Sequence, residues 1–139
     1  MSSETEIFAA SAALTRLHDI DQRFRDHVKT AGTALKGLGS LTAPDGEIAA
    51  SCLGVQLNVV RKPIAVDGNP AAFEYAFGVV KDSAFRLYFH LYLDPQGNLC
   101  TDVKCQTRLC DFNNAYIAKY VLLELAGALL HSEHFAPTR

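Results

Sequence analysis

The stretch RLYFHLYL, residues 86–93, places one imidazole among side chains that bind, orient or donate. Arg86, Tyr88, His90 and Tyr92 stand at alternate positions. In an extended chain alternate side chains share a face, so these four line one side of a strand, and Leu87, Phe89, Leu91 and Leu93 line the other. Three neighbouring stretches alternate in the same way. CLGVQLNVV (52–60) sets Gln56 and Asn58 against Leu53, Val55, Leu57 and Val59. AFEYAFGVV (72–80) sets Glu74, Ala76 and Gly78 against Phe73, Tyr75, Phe77 and Val79. LCTDVKC (99–105) sets Cys100, Asp102 and Lys104 against Leu99, Thr101 and Val103. Tight turns at KDS and DPQGN join these runs into an antiparallel meander. The register they imply brings His90 beside Glu74 and Asp102, Tyr88 beside Ala76 and Lys104, and Tyr92 beside Cys100.

An imidazole held by a carboxylate is the arrangement of a general base, so His90 with Glu74 or Asp102 defines an enzymatic reading. A flat sheet face does not exclude water, however, and no serine or cysteine stands at an attack position beside the ring. The same side chains suit a contact surface better, because Tyr and Arg supply large contact area with little entropy lost. The expected partner-binding residues are Arg86, Tyr88, His90 and Tyr92, surrounded by Glu74, Gln56, Asn58 and Lys104. A solvated face that only braces the meander is the plainest account of the same residues. The expected role is a small cytoplasmic, non-catalytic module of adaptor, chaperone or inhibitor type that binds a protein partner. A small-ligand-binding domain, with an apolar pocket between sheet and C-terminal helix, is the second reading.

Other chemistry is thinly represented. His131 and His134, with Glu133 between them, could face a metal, but histidines near a helix C-terminus are also favoured by its dipole. Cys100, Cys105 and Cys110 recur every five residues, whereas zinc sites prefer C-x2-C pairs; with Cys52 they read as free thiols. Phosphate-loop, G-x-S-x-G, H-E-x-x-H, C-x-x-C and calcium-loop patterns are missing from the sequence. No catalytic residue, metal or cofactor is expected.

The flanking elements are helical. Ser3 and Glu6 form a capping box. Apolar residues then recur at Ile7, Ala10, Leu14, Leu17, Phe24, Val28, Ala31, Leu35 and Leu38, with Asp21 occupying one slot beside Ile20. Gly32 weakens the last turns, and Gly37 and Gly39 in KGLGS end the helix. So narrow a seam suits another helix, either within the chain or in a homodimer joined through Leu14, Leu17, Phe24 and Val28. Asp111 is placed to cap a second helix, which is apolar around most of its circumference and so expected to be buried on more than one flank. Pro63 and Pro70 confine their segment to a sheet edge, followed by a loop at DGNP.

The totals agree with one compact domain. The chain has 139 residues, 49% hydrophobic and 20% charged, with a formal charge of −2. That balance lacks the basic footprint of nucleic-acid binding. The acidic N-terminus is unlike a secretory signal, and YVLLELAGALL is broken by Glu124 and too short to span a bilayer. The expectation is a single α+β domain over 1–139. It comprises an N-terminal helix (1–39), a four- to five-stranded antiparallel meander sheet (47–105) and a C-terminal helix (111–134), both helices packed on one sheet face.

Overall fold

A computed structural model of the chain describes residues 3–31 and 34–138. The elements are α1 (Glu4–Ala31), β1 (Ala34–Leu35), β2 (Gly39–Thr42), β3 (Ala49–Cys52), β4 (Val55–Val66), β5 (Asn69–Lys81), β6 (Ala84–Leu93), β7 (Asn98–Cys100), β8 (Arg108–Asp111), α2 (Ile117–Leu130) and a 3-10 turn, Glu133–Phe135. The chain is α+β, with a helix near each end and an antiparallel sheet. The sheet has eight strands in sequential order rather than four or five. Most of the additional strands are two to four residues long, too short for alternation to announce them.

Several boundaries move accordingly. The first helix stops at Ala31, and KGLGS is the turn from β1 into β2, so Leu35 and Leu38 leave the helical stripe. Gly32 lies outside the described residues. The sheet spans 34–111, not 47–105. Asp111 ends β8 and pairs with Arg108 instead of capping a helix. The second helix begins at Ile117, after the Asn114 side-chain oxygen accepts the Tyr116 amide at 2.7 Å. At the first helix the Ser3 hydroxyl accepts the Glu6 amide at 3.2 Å, as a cap should.

Three hairpins turn on two residues that both have positive φ: Leu53–Gly54, Asp67–Gly68 and Asp82–Ser83. This is the mirror-image turn whose twist matches that of the strands it joins. Pro63 stands inside β4 opposite Phe73. From residue 58 onward β4 pairs with β5 alone, so Pro63 stands on an edge, where proline is tolerated.

One core holds these parts together. Leu17, Ile20, Phe24 and Val28 of α1 and Val121, Leu122, Leu125 and Leu129 of α2 pack on the sheet face made by Leu57, Phe73, Tyr75, Phe77, Leu91 and Leu93. Phe24 meets Tyr75 edge-on at 5.0 Å. The seam considered for a homodimer is therefore used within the chain: Leu17, Phe24 and Val28 are buried and Leu14 is half-buried. The apolar girth of α2 is only partly covered, since Tyr116, Tyr120, Leu123 and Leu130 face outward. Asp21, which interrupts the stripe, is buried and accepts hydrogen bonds from the Tyr75 hydroxyl (2.6 Å), Arg61 (2.9 Å) and Arg25 (3.2 Å). His27 is half-buried, and its Nε2 donates to the Asn114 carbonyl at 2.8 Å. No helix among the described residues is long and apolar enough to cross a membrane.

The cysteines divide into two kinds. Cys100 and Cys105 form a disulfide across the turn after β7, in place of the free thiols expected there. Cys52 and Cys110 are free and buried; burial raises the Cys52 thiol and pushes Cys110 up to about 11. Thiolate is the reactive form, so both should resist alkylation in the native state. Iodoacetamide at mildly alkaline pH is expected to leave the native mass unchanged, to modify these two after unfolding, and to modify all four cysteines after unfolding with reduction. Rapid native labelling of Cys110, read by mass spectrometry, would contradict this placement.

Candidate functional site

The alternation of RLYFHLYL does not survive intact, because the β5–β6 ladder shifts register in the middle. Phe77 pairs with Phe89, but the next pair is Gly78 with Leu87, leaving Tyr88 as an extra residue. This bulge needs a glycine opposite it. A Cβ at residue 78 would overlap the Arg86 carbonyl oxygen and stand 2.9 Å from its carbonyl carbon. Beyond the bulge the two faces exchange. Phe85, opposite Val80, and Leu87, opposite Gly78, turn to the outer face, where they are 38% and 46% exposed. Arg86 and Tyr88 turn to the helix side. Arg86 meets Glu133 at 3.0 Å, and the Tyr88 ring meets His134 edge-on at 5.9 Å.

The bulge thus divides the expected binding set. His90 and Tyr92 remain on the outer face with Glu74; Arg86 and Tyr88 do not. Leu87, which regular alternation puts on the apolar side, and Phe85 take their place. The sign of this inversion in the sequence is Gly78, a lone glycine inside a strand pattern, which marks a close backbone approach.

On the outer face His90 lies opposite Ala76 and diagonal to Glu74. Its Nδ1 is 2.5 Å from the Tyr92 hydroxyl and 3.6 Å from Glu74 Oε2. Burial, then the Glu74 carboxylate, raises the Tyr92 phenol above its ordinary range, which keeps it a neutral hydroxyl. The other expected carboxylate, Asp102, faces the same slot as His90 and Tyr92 and its charge reaches the Tyr92 phenol, but it holds no ladder position opposite His90. β6 pairs with β7 only at Tyr92–Cys100 and Leu93–Leu99, after which the chain turns back. Asp102 accepts the amides of Gln106 (2.9 Å) and Thr107 (2.7 Å), and these bonds hold it below the usual carboxylate range. Lys104 lies in the same turn, away from the ladder position opposite Tyr88. Gln56 and Asn58 are exposed, paired with Ser51 and Gly78.

Around this polar cluster the outer face is apolar. Val60, Ala76, Phe85 and Leu87, with Lys62 and His90, line a shallow hollow of 320 Å³. Among the described residues no strand flanks 84–91 of β6 on the side away from β5, and a 390 Å³ slot separates that edge from the 101–103 turn. A third cavity, a cleft of 620 Å³, opens where β4 changes partner. Residues 55–57 pair with β3 and 58–66 with β5, so the sheet splays beside Val55, Val79 and Lys81 and above Arg86, Tyr88 and His134.

The His131–His134 segment does not converge. His131 Nδ1 donates to the Gly127 carbonyl, Glu133 binds Arg86 and His134 packs on Tyr88. Among the described residues no three His, Cys, Asp or Glu side chains gather as a metal-binding group would require. Comparisons with protein-family models, curated proteins and solved structures find no match.

Proposed function

We propose that this chain is a small non-catalytic protein-interaction module, of adaptor, chaperone or inhibitor type, whose contact surface is the outer face of β4–β6. One observation carries the reading: the bulge at Tyr88 puts Phe85 and Leu87 on the solvent side, next to Val60 and Val80, when the core of the same sheet could have taken them. An apolar patch rimmed by Lys62, Glu74, His90 and Tyr92 has the build of an interface, with a greasy centre and a polar margin. The free edge of β6 continues that surface. The bulge blunts the edge against indiscriminate strand pairing, which leaves side-chain contact as the main mode. In this reading the protein is cytoplasmic, a compartment that opposes the Cys100–Cys105 disulfide with reducing power.

His90 with Glu74 is an oriented imidazole, but it faces an open surface, and its Nδ1 is already taken up by Tyr92 and Glu74. Orientation without a water-excluded pocket does not amount to catalysis.

The test is Phe85→Lys with Leu87→Lys. Both side chains are exposed, so the double variant should melt within a few degrees of the wild type, on the ordinary tolerance of surface sites. Immobilised wild type should retain a partner, identified by mass spectrometry, that the double variant loses. Equal retention of that partner by a folded variant defeats the proposal.

A further inference from the structure

We infer that the cleft between the splayed strands is a binding site for an amphipathic organic carboxylate, with Arg86 as its anchor and Glu133 as the internal carboxylate that occupies the anchor when no ligand is bound. The site is separate from the outer face and does not depend on it.

Three observations converge. The first is shape: the cleft measures 620 Å³, within the range of pockets that enclose small organic molecules. Val55 and Val79 provide apolar wall, while Lys81 and Arg86 provide positive charge. The second is how Arg86 comes to be there. Regular alternation would send it to the outer face; the bulge at Tyr88 turns it inward, to the helix side of the sheet. The third is the state of the guanidinium. One terminal nitrogen binds Glu133 at 3.0 Å, but Nε is buried and has no acceptor among the described residues. A guanidinium is a fork that holds a carboxylate by two parallel bonds, and Glu133 engages one terminal nitrogen of a side chain that is 41% exposed. Nε is shut off from solvent, so the bonds open to a ligand are those of the terminal nitrogens.

Glu133 belongs to the 3-10 turn after α2 and is largely exposed. It can release Arg86 to solvent at little cost, since an exposed ion pair contributes about 0–1 kcal/mol. An incoming carboxylate would then take the Arg86 fork, with Lys81 beside it and an apolar body against the valines. Tyr88 and His134, in ring contact, form the remaining wall.

Two variants should move binding in opposite directions. With a dansyl-labelled long-chain carboxylate as the probe, fluorescence titration of the wild type should show saturable binding. Arg86→Met keeps the aliphatic stem and should weaken it about tenfold or more, the loss of a charge-assisted bond. Glu133→Gln removes the internal competitor and should tighten binding by about threefold, the scale of one exposed ion pair. Leu87→Lys, on the outer face, should change nothing. Circular dichroism and melting confirm that each variant is folded; Glu133→Gln, a surface change, keeps the test available if Arg86→Met is damaged. The inference fails on any of four results: no saturable binding, indifference to a folded Arg86→Met, weaker or unchanged binding in Glu133→Gln, or loss in Leu87→Lys.

Discussion

Asp21→Asn should cost about 3–5 kcal/mol, the usual result of breaking a buried ion pair from one side. Against a typical domain stability of about 5–15 kcal/mol, that loss would leave a large share of the chain unfolded on mild heating. Asp21 is 1% exposed and is the common acceptor for Arg25, Arg61 and the Tyr75 hydroxyl. Its carboxylate therefore joins α1 to β4 and β5 at once. An asparagine is nearly isosteric but carries no charge, so two guanidiniums with side chains only 11% and 25% exposed lose their buried counter-ion and keep only Glu47 at the rim. Arg61 would keep Glu47 at 3.0 Å on the solvent side, and Arg25 would keep the Gly46 carbonyl at 2.8 Å. Those contacts moderate the damage without replacing the buried charge. Glu47→Gln, at the exposed rim, is the control and should cost at most about 1 kcal/mol. Urea titration of the two variants separates these outcomes; an Asp21→Asn loss no larger than that of Glu47→Gln would show the hub to be ornamental.

The same hub sets an alkaline limit. Burial first, then the Asp21 charge, holds the Tyr75 phenol well above the ordinary range of a tyrosine. In the unfolded chain this tyrosine ionises in the ordinary range; in the folded chain it stays protonated. The folded state then binds more protons, so the Tyr75 contribution is complete below the ordinary phenol range and is lost as pH rises beyond it. Urea midpoints should fall with pH only on that alkaline side, and the slope should shrink in Tyr75→Phe.

Asp21 also shows how far the sequence could be read. Its position in the α1 stripe is plain, and a charged residue there looks like a missing tooth. That the tooth is a polar hub depends on Arg61 and Tyr75, more than 35 residues away, meeting it across the fold. Local pattern does not carry such information. Strands β5 and β6 were legible because they are 13 and 10 residues long and half-buried, which makes alternation visible; the run read over 52–60 is instead cut by the Leu53–Gly54 turn, and β4 continues to Val66. Asp67–Gly68 was legible as a turn because that pair suits positive φ. Strands β1 and β8 were not, since two to four residues show no period and are held by neighbours already in place. LCTDVKC alternates well enough to continue along β6, yet the Cys100–Cys105 bridge needs its Cα atoms 5.2 Å apart. Five extended residues would separate them by about 16 Å, so bridge and strand exclude each other.

The candidate site was legible in its members and not in their facing, and Gly78 is the residue that decides facing. Gly78→Ala should destabilise the chain by about 3 kcal/mol or more, the upper end for overpacking, because the new methyl meets the Arg86 backbone, which cannot step aside as a side chain can. The remedy follows from the cause. Tyr88 is the extra residue of the bulge, and without it β6 could pair with β5 in continuous register. Deleting Tyr88 would cost stability in its own right, through lost packing on His134, while Leu87 and Phe85 keep Gly78 and Val80 as partners and so stay on the outer face. In that background, however, residue 78 would face an ordinary ladder position, and Gly78→Ala should then cost less than about 1 kcal/mol. The two changes are thus expected to be strongly non-additive, which a double-mutant cycle in urea measures directly. The deletion should leave partner capture in place, because Phe85 and Leu87 keep Val80 and Gly78 as ladder partners and hence their outward facing. Simple additivity of the two changes would mean that Gly78 and Tyr88 act independently, and the bulge could no longer be held responsible for the need for glycine at residue 78.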